Sequence, residues 1–312
     1  MRYPNIDDFD YSELDLFADE YKAFLTPLKQ QKEDEDFVTH HKTSEWKSIL
    51  KKDLPDELSS IVMMVDSLVI ATRLREIQIF RGFYRVSAED KDNFVPPDIV
   101  GSSNSWLPAI ELFGEGLFFS IREEVLSEWE HLEGVGKRAD EIKNRYNKSD
   151  VYIFQEFELS PRFILLHTLA HLIIRELEST AGYPAASLSE RIYCSKDQKM
   201  AGVLIYTTVA DIAGSLGGII KSAEPRSFLS ILEGTMKKAQ WCSLDPVCSE
   251  LEGQGPGWLN RAACHACSLV PEPSCDFGNV FLDRVLIKGS SILGIPSFSD
   301  FVLEVASNRK GK

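Results

Sequence analysis

Five of the six cysteines fall between Cys242 and Cys275, with Cys194 standing alone. This clustering constrains the fold more than any other feature of the sequence. Cys264-His-Ala-Cys267 is a Cys-x-x-Cys knuckle, in which one tight turn brings two thiolates onto one ion. Tetrahedral zinc then takes two further ligands from nearby chain. Cys275 is the natural third ligand and Cys248 the favoured fourth, with Cys242 as the alternate, because the sequence offers one cysteine more than a closed site needs. Two competing readings are weaker. Singly buried, inert cysteines are common, but they do not cluster. A redox Cys-x-x-Cys sits at a strand-to-helix junction of a βαβ unit, whereas this one lies in a Gly- and Pro-rich loop. Four thiolates leave no open position for water, so the expected Zn2+ is structural.

The remaining composition narrows the class. With 312 residues and 44% hydrophobic content, the chain can fill one large core or two ordinary ones. A net charge of -14 argues against wrapping nucleic acid over the whole surface, though not against a local basic groove. No apolar run reaches the roughly 20 residues of a membrane helix. The chain opens on Asp7, Asp8 and Asp10 instead of a basic, then apolar, leader. A cytoplasmic location is the expectation.

Hydrophobic patterning predicts an α+β fold: a mixed, short-stranded sheet with packed helices and a C-terminal cysteine-zinc loop region. Residues 1–57 read as an acidic helical extension whose aromatics, Phe17, Tyr21 and Phe24 among them, pack on the main body. Residues 58–312 read as the main domain, with the zinc-binding region at 150–290. Near-alternation predicts a strand over 76–86 and another over 109–121, the latter broken at Gly114 and Gly116. Val151 to Phe154 predicts a further short strand, and Gly202 to Tyr206 a buried one. Ser160 as N-cap with Pro161 after it predicts a strong helix ending near Gly182. Asp276 is expected to open a last helix.

Three constellations carry other chemistry. His167 and His171 lie four apart on the predicted helix and can share a metal, but Thr168 stands where a zinc peptidase needs its Glu base. A buried polar seam is the preferred reading, and a metal-dependent hydrolase or nuclease using His167 and His171 is the runner-up. Gly214-Ser-Leu-Gly-Gly218 has the wrong spacing for a nucleotide-binding loop, so no nucleotide hydrolysis is expected. With Lys221 and Arg226 nearby, the loop still offers a DNA phosphate contact. Arg81 and Arg85, interleaved with Phe80, Phe83 and Tyr84, form a second candidate DNA contact.

The order of these segments resembles a known family. Arg75-Glu76 leading to Gly82-Phe83, Trp106-Leu-Pro-Ala-Ile-Glu111 with Gly114-Glu-Gly116, His167-Thr-Leu-Ala-His171, Leu204-Ile-Tyr206 with Gly214 to Gly218, the cysteines, and Asn279-Val-Phe-Leu-Asp-Arg284 are similar to the C-terminal part of DrmB, the helicase-partner subunit of the DISARM antiphage defence system. The wider group is similar to the zinc-binding domain of MrfA-type helicases. The resemblance spans about residues 58 to 290. It implies a noncatalytic subunit that pairs with a superfamily 2 DNA helicase, assists DNA binding and carries a cysteine-held zinc.

Overall fold

Strand β2 (Val65–Ile79) turns successive buried side chains to opposite faces over Leu68 to Ala71. Leu68 and Ile70 point to one face, and Val69 and Ala71 to the other, and each set joins a different apolar cluster. The sheet is therefore covered on both faces. In the computed structural model, described here for residues 13–27, 36–51, 53–80, 82–84, 94–95, 107–153, 155–208 and 217–310, β2 lies between β1 (Phe37–His41) and β5 (Ala109–Ile121). The sheet continues through β7 (Met200–Thr208) to β6 (Ser189–Ser195), every pairing antiparallel. A separate two-stranded piece pairs β3 (Phe83–Tyr84) with β4 (Phe94–Val95). The α+β class is as expected, but β2 and β5 run to 15 and 13 residues, longer than short strands. Nor is β5 interrupted at its glycines. The irregularity falls on the partner, where the register shifts between Ala71 and Leu74 opposite Gly116 and Gly114, a bulge that increases local twist.

The outer face is covered by α1 (Glu13–Leu25). Phe17, Tyr21 and Phe24 pack on Phe118, Tyr193 and Leu204, with Phe24 stacked on Phe118 at 4.6 Å. Glu20 accepts from Arg191 at 2.7 Å and from Tyr193 Oη at 3.0 Å. The acidic N-terminal stretch thus contributes both this helix and the edge strand β1.

The inner face carries the helices. α6 (Pro161–Ala181) is buried along nearly its whole length and packs on β6 and β7. Its ends form as the caps predict. Ser160 Oγ accepts from the Phe163 N–H, and Gly182 takes the left-handed φ of +73° that ends the helix. Around α6 lie α2 (Thr43–Ser48), α3 (Asp56–Met64), α4 (Glu123–Glu130), α5 (Glu133–Tyr146), α7 (Gly218–Ser222), α8 (Pro225–Gln240) and α11 (Phe298–Lys310). Arg162, fully buried in the first turn of α6, bridges Glu123 and Glu130 of α4. Val151 to Ile153 has no regular structure.

Between α8 and α11 the chain is mostly irregular, with only the short helices α9 (Val247–Glu250) and α10 (Val285–Lys288) and single 3-10 turns. Asp276 opens no helix there. This segment is nonetheless buried through Phe277, Phe281 and Leu282. Side chains supply the hydrogen bonds that helices and strands would otherwise provide. Asn279 bonds both polar groups of the Val270 main chain. Asn260 accepts from Leu282 N–H and donates to Asn279 C=O.

Candidate metal centre

Cys242 leaves the C-terminus of α8, Cys248 sits in α9, and Cys264 and Cys267 form the knuckle, all four buried. Their sulfurs lie within 4.8 Å of one another. The separations are 3.6 Å for Cys242 to Cys264, 3.8 Å for Cys248 to Cys267 and 3.8 Å for Cys264 to Cys267. A tetrahedron with zinc–sulfur bonds of about 2.3 Å has edges of about 3.8 Å. These distances far exceed a disulfide bond of about 2.05 Å. The donor set and its spacing fit zinc.

Hydrogen bonds stabilise the thiolates. The Cys264 N–H and Ser268 Oγ both donate to Cys267 Sγ at 3.3 Å, and the Leu244 N–H donates to Cys242 Sγ at 3.4 Å. Before a metal binds, the neighbouring Cys248 sulfur is the main cause that holds the Cys267 thiol below its ordinary value. A zinc with four thiolates carries a net charge of 2−. Arg284, fully buried, faces that charge with Nη2 3.6 Å from Cys248 Sγ, and it also pairs with Asp245. From α6, Arg175 donates to the His265, Ala266 and Leu269 carbonyls, which ties the knuckle to the helix.

The expected third ligand, Cys275, is not in this set. Ser274 Oγ donates to Ala185 C=O at 2.7 Å, drawing the segment toward β6. The Cys275 sulfur then lies 3.3 Å from His167 Nε2, on α6. Cys242, held by its N–H to Asp245 Oδ2 at 2.8 Å, takes its place beside Cys248. Four residues far apart in sequence instead form a second buried group: His167, His171, Glu190 and Cys275. Proximity along the chain suggested the wrong cluster for Cys275, and Glu190 was missed altogether. Its signal was a carboxylate in phase with Ile192 and Cys194 on the core face of β6. Cys194 belongs to neither group, and burial pushes its thiol up to about 12.

The expected DNA contacts are scattered. Arg81 and Arg85 lie outside the described residues, as do residues 214–216 of the glycine loop. Lys221 and Arg226 are both exposed, and Lys221 borders a cavity of ≈ 470 Å³ lined by Ser222, Ser227 and Ser230. The amides that begin α7 are already taken, since buried Glu115 accepts from the Gly217 N–H at 2.6 Å and the Ile219 N–H at 3.0 Å. Elsewhere on β2, Arg75 pairs with Asp36 and Glu111, and Arg73 lies 4.4 Å over the Phe113 ring.

Residues 169–268, which contain the four clustered cysteines, match the family model of the MrfA Zn-binding domain, MZB. Over those residues the chain is similar to the MZB domain. The MZB span also takes in His171 and Glu190, but stops short of His167 and Cys275. The chain is 37% identical over 228 residues to a DISARM protein, DrmB, of Bacillus paralicheniformis, covering 70% of this chain and 40% of that one. The similarity read from the order of motifs is thereby shown, and the chain spans less than half the length of this relative. Among the described residues, no helix is long and apolar enough to cross a membrane.

Proposed function

We propose that the chain is a noncatalytic accessory subunit of a DISARM-type antiphage defence complex, which binds a superfamily 2 DNA helicase and assists its hold on DNA. One observation carries the reading. The four clustered thiolates are placed to enclose a zinc ion, and the loop that carries them displays apolar side chains to solvent. Trp241 is 69% exposed, Trp258 62% and Val247 61%, with Leu244 and Leu251 beside them. A metal with no free position does no Lewis-acid chemistry. Exposed aromatic and aliphatic residues on a rigid loop are what a protein interface uses as anchors. The likeness to DrmB names the complex, and the exposed Lys221 and Arg226 supply the cations for DNA backbone contact.

The runner-up, a hydrolase acting through His167 and His171, finds no support in the geometry, since both imidazoles are 0% exposed and no substrate phosphate reaches them. The test is titration of the purified chain against the purified helicase subunit. Trp241→Ala with Val247→Ala is expected to weaken binding at least about tenfold at unchanged zinc content. Undiminished affinity would remove this surface from the interface. Lys221→Glu with Arg226→Glu is expected to weaken DNA binding by the complex and flatten its salt dependence. DNA cleavage by the chain alone, abolished by His167→Ala, would overturn the noncatalytic reading.

A further inference from the structure

We propose that His167, His171, Glu190 and Cys275 form a second, closed metal site, holding a structural zinc ion in the interior of the fold. The inference stands on these four residues alone and does not rest on the functional reading above.

The geometry comes first. Glu190 Oε1 lies 2.9 Å from His167 Nε2 and 3.2 Å from His171 Nε2, and His167 Nε2 lies 3.3 Å from Cys275 Sγ. All four ligand atoms fall within 4.8 Å of one another. Tetrahedral zinc sets edges of about 3.3 Å between nitrogen or oxygen ligands and about 3.6 Å from these to sulfur. The observed separations sit a few tenths of an ångström inside those values. The two imidazoles stand edge to face with centroids 4.5 Å apart, so both Nε2 atoms converge on one point. Helical spacing alone sets up that convergence, since residues four apart share a face.

The outer nitrogen of His171 fits the same reading. His171 Nδ1 lies 3.0 Å from the Ser268 carbonyl oxygen. A carbonyl only accepts, so Nδ1 carries the proton, and in a neutral ring Nε2 is then a bare lone pair. That lone pair faces the Glu190 carboxylate, another acceptor. Two acceptors at 3.2 Å repel unless a cation or a proton lies between them. His167 shares only the inner part of this arrangement: Nε2 faces Glu190 and Cys275, while Nδ1 is buried without a partner at hydrogen-bonding geometry. Metal-bound histidines are commonly oriented as His171 is, by an outer N–H held on a carbonyl. Both rings are fully buried, and a charge placed there without a compensating ion is costly.

Charge closes the argument. Zn2+ with one carboxylate, one thiolate and two neutral imidazoles has no net charge, and so needs no further counter-ion where solvent does not reach. Glu190 Oε2 is fully buried without a donor at hydrogen-bonding geometry, which leaves the carboxylate charge for a cation at Oε1 to offset. The Asn279 N–H donates to Cys275 Sγ at 3.3 Å, the same support the knuckle thiolates receive. With all four ligands supplied by buried protein groups, no position is left for water. Such an ion would join α6, β6 and the irregular segment after the knuckle, three pieces that share few regular main-chain bonds.

Elemental mass spectrometry and zinc-edge X-ray absorption on the purified chain test this directly. Two sites predict about two zinc ions per chain with an average of about 2.5 sulfur ligands each. Cys275→Ala is expected to leave one zinc with four sulfurs, and Cys264→Ser with Cys267→Ser one zinc with a single sulfur. About one zinc per wild-type chain with four sulfur ligands would overturn the proposal. That wild-type measurement decides even if the variants fail to fold.

Discussion

Arg284 offers a way to weigh how much the protein interior contributes to holding the knuckle zinc. Its guanidinium is the buried cation nearest the four thiolates, 3.6 Å from Cys248 Sγ. At an effective dielectric of about 20, a full unit charge at that distance is worth about 4.6 kcal/mol, and because the 2− charge is shared among four sulfurs, about half of that is a fair figure for the nearest one. Removing it by Arg284→Met should therefore cost about 2 kcal/mol of zinc binding, or roughly thirtyfold in affinity. Residues that support metal ligands typically cost 10- to 100-fold when lost. The assay is chelator competition on the Co(II)-loaded chain, followed through the thiolate-to-cobalt charge-transfer band, which reports the four-thiolate site. Arg284→Lys, which keeps the charge but not the fork that also reaches the Ala239 and Ala262 carbonyls, should fall between the two. A folded Arg284→Met protein whose metal affinity stays within about threefold of wild type would refute the electrostatic account.

Other perturbations test the frame around the site. Arg162→Met strands the buried Glu130 and the half-buried Glu123 and should lower stability by about 3 kcal/mol in urea unfolding. Phe24→Ala removes a ring stacked on Phe118 and should cost about 3 kcal/mol, with α1 becoming the first segment cut by protease. In Gly218→Ala the new methyl would meet Tyr183 Oη at 2.3 Å, so a loss of about 1–3 kcal/mol is expected by thermal melting. Acidification should release the knuckle zinc, since protons compete with the metal for thiolates. An unchanged metal content after dialysis at low pH would contradict a thiolate site.

Much of this was legible because local rules decided it. Ser160, Pro161 and Gly182 bound α6 through caps that act within one turn, and the continuous apolar run from Gly202 to Tyr206 marks a strand buried on both faces. The knuckle is a local motif and was equally plain. What could not be read depended on which distant segments meet. Cys275 follows Cys267 closely in the chain, yet Ser274 ties its segment to Ala185 and the thiol turns to α6. Glu190 joins His167 and His171 only because β6 lies against α6. The run through Gly114 and Gly116 looked like a bulge or turn between two strands, yet it is one continuous strand, and the bulge lies on its partner. The glycine loop suggested an anion site, and a carboxylate from β5, invisible to any local pattern, already caps its amides.

The placement of the cysteines after the sheet and α6 has a consequence for synthesis. A ribosome delivers β1 to β7 and the long helix before Cys242 emerges, so the underside of α6, with His167, His171 and Arg175, waits uncovered until the last quarter of the chain arrives. That late segment has little regular structure of its own, and metal binding is part of its folding free energy. Zinc supply therefore sets how long the uncovered face persists in the cell. Under zinc limitation, newly made chains would accumulate with finished sheets and open helices, the form that chaperones and proteases engage.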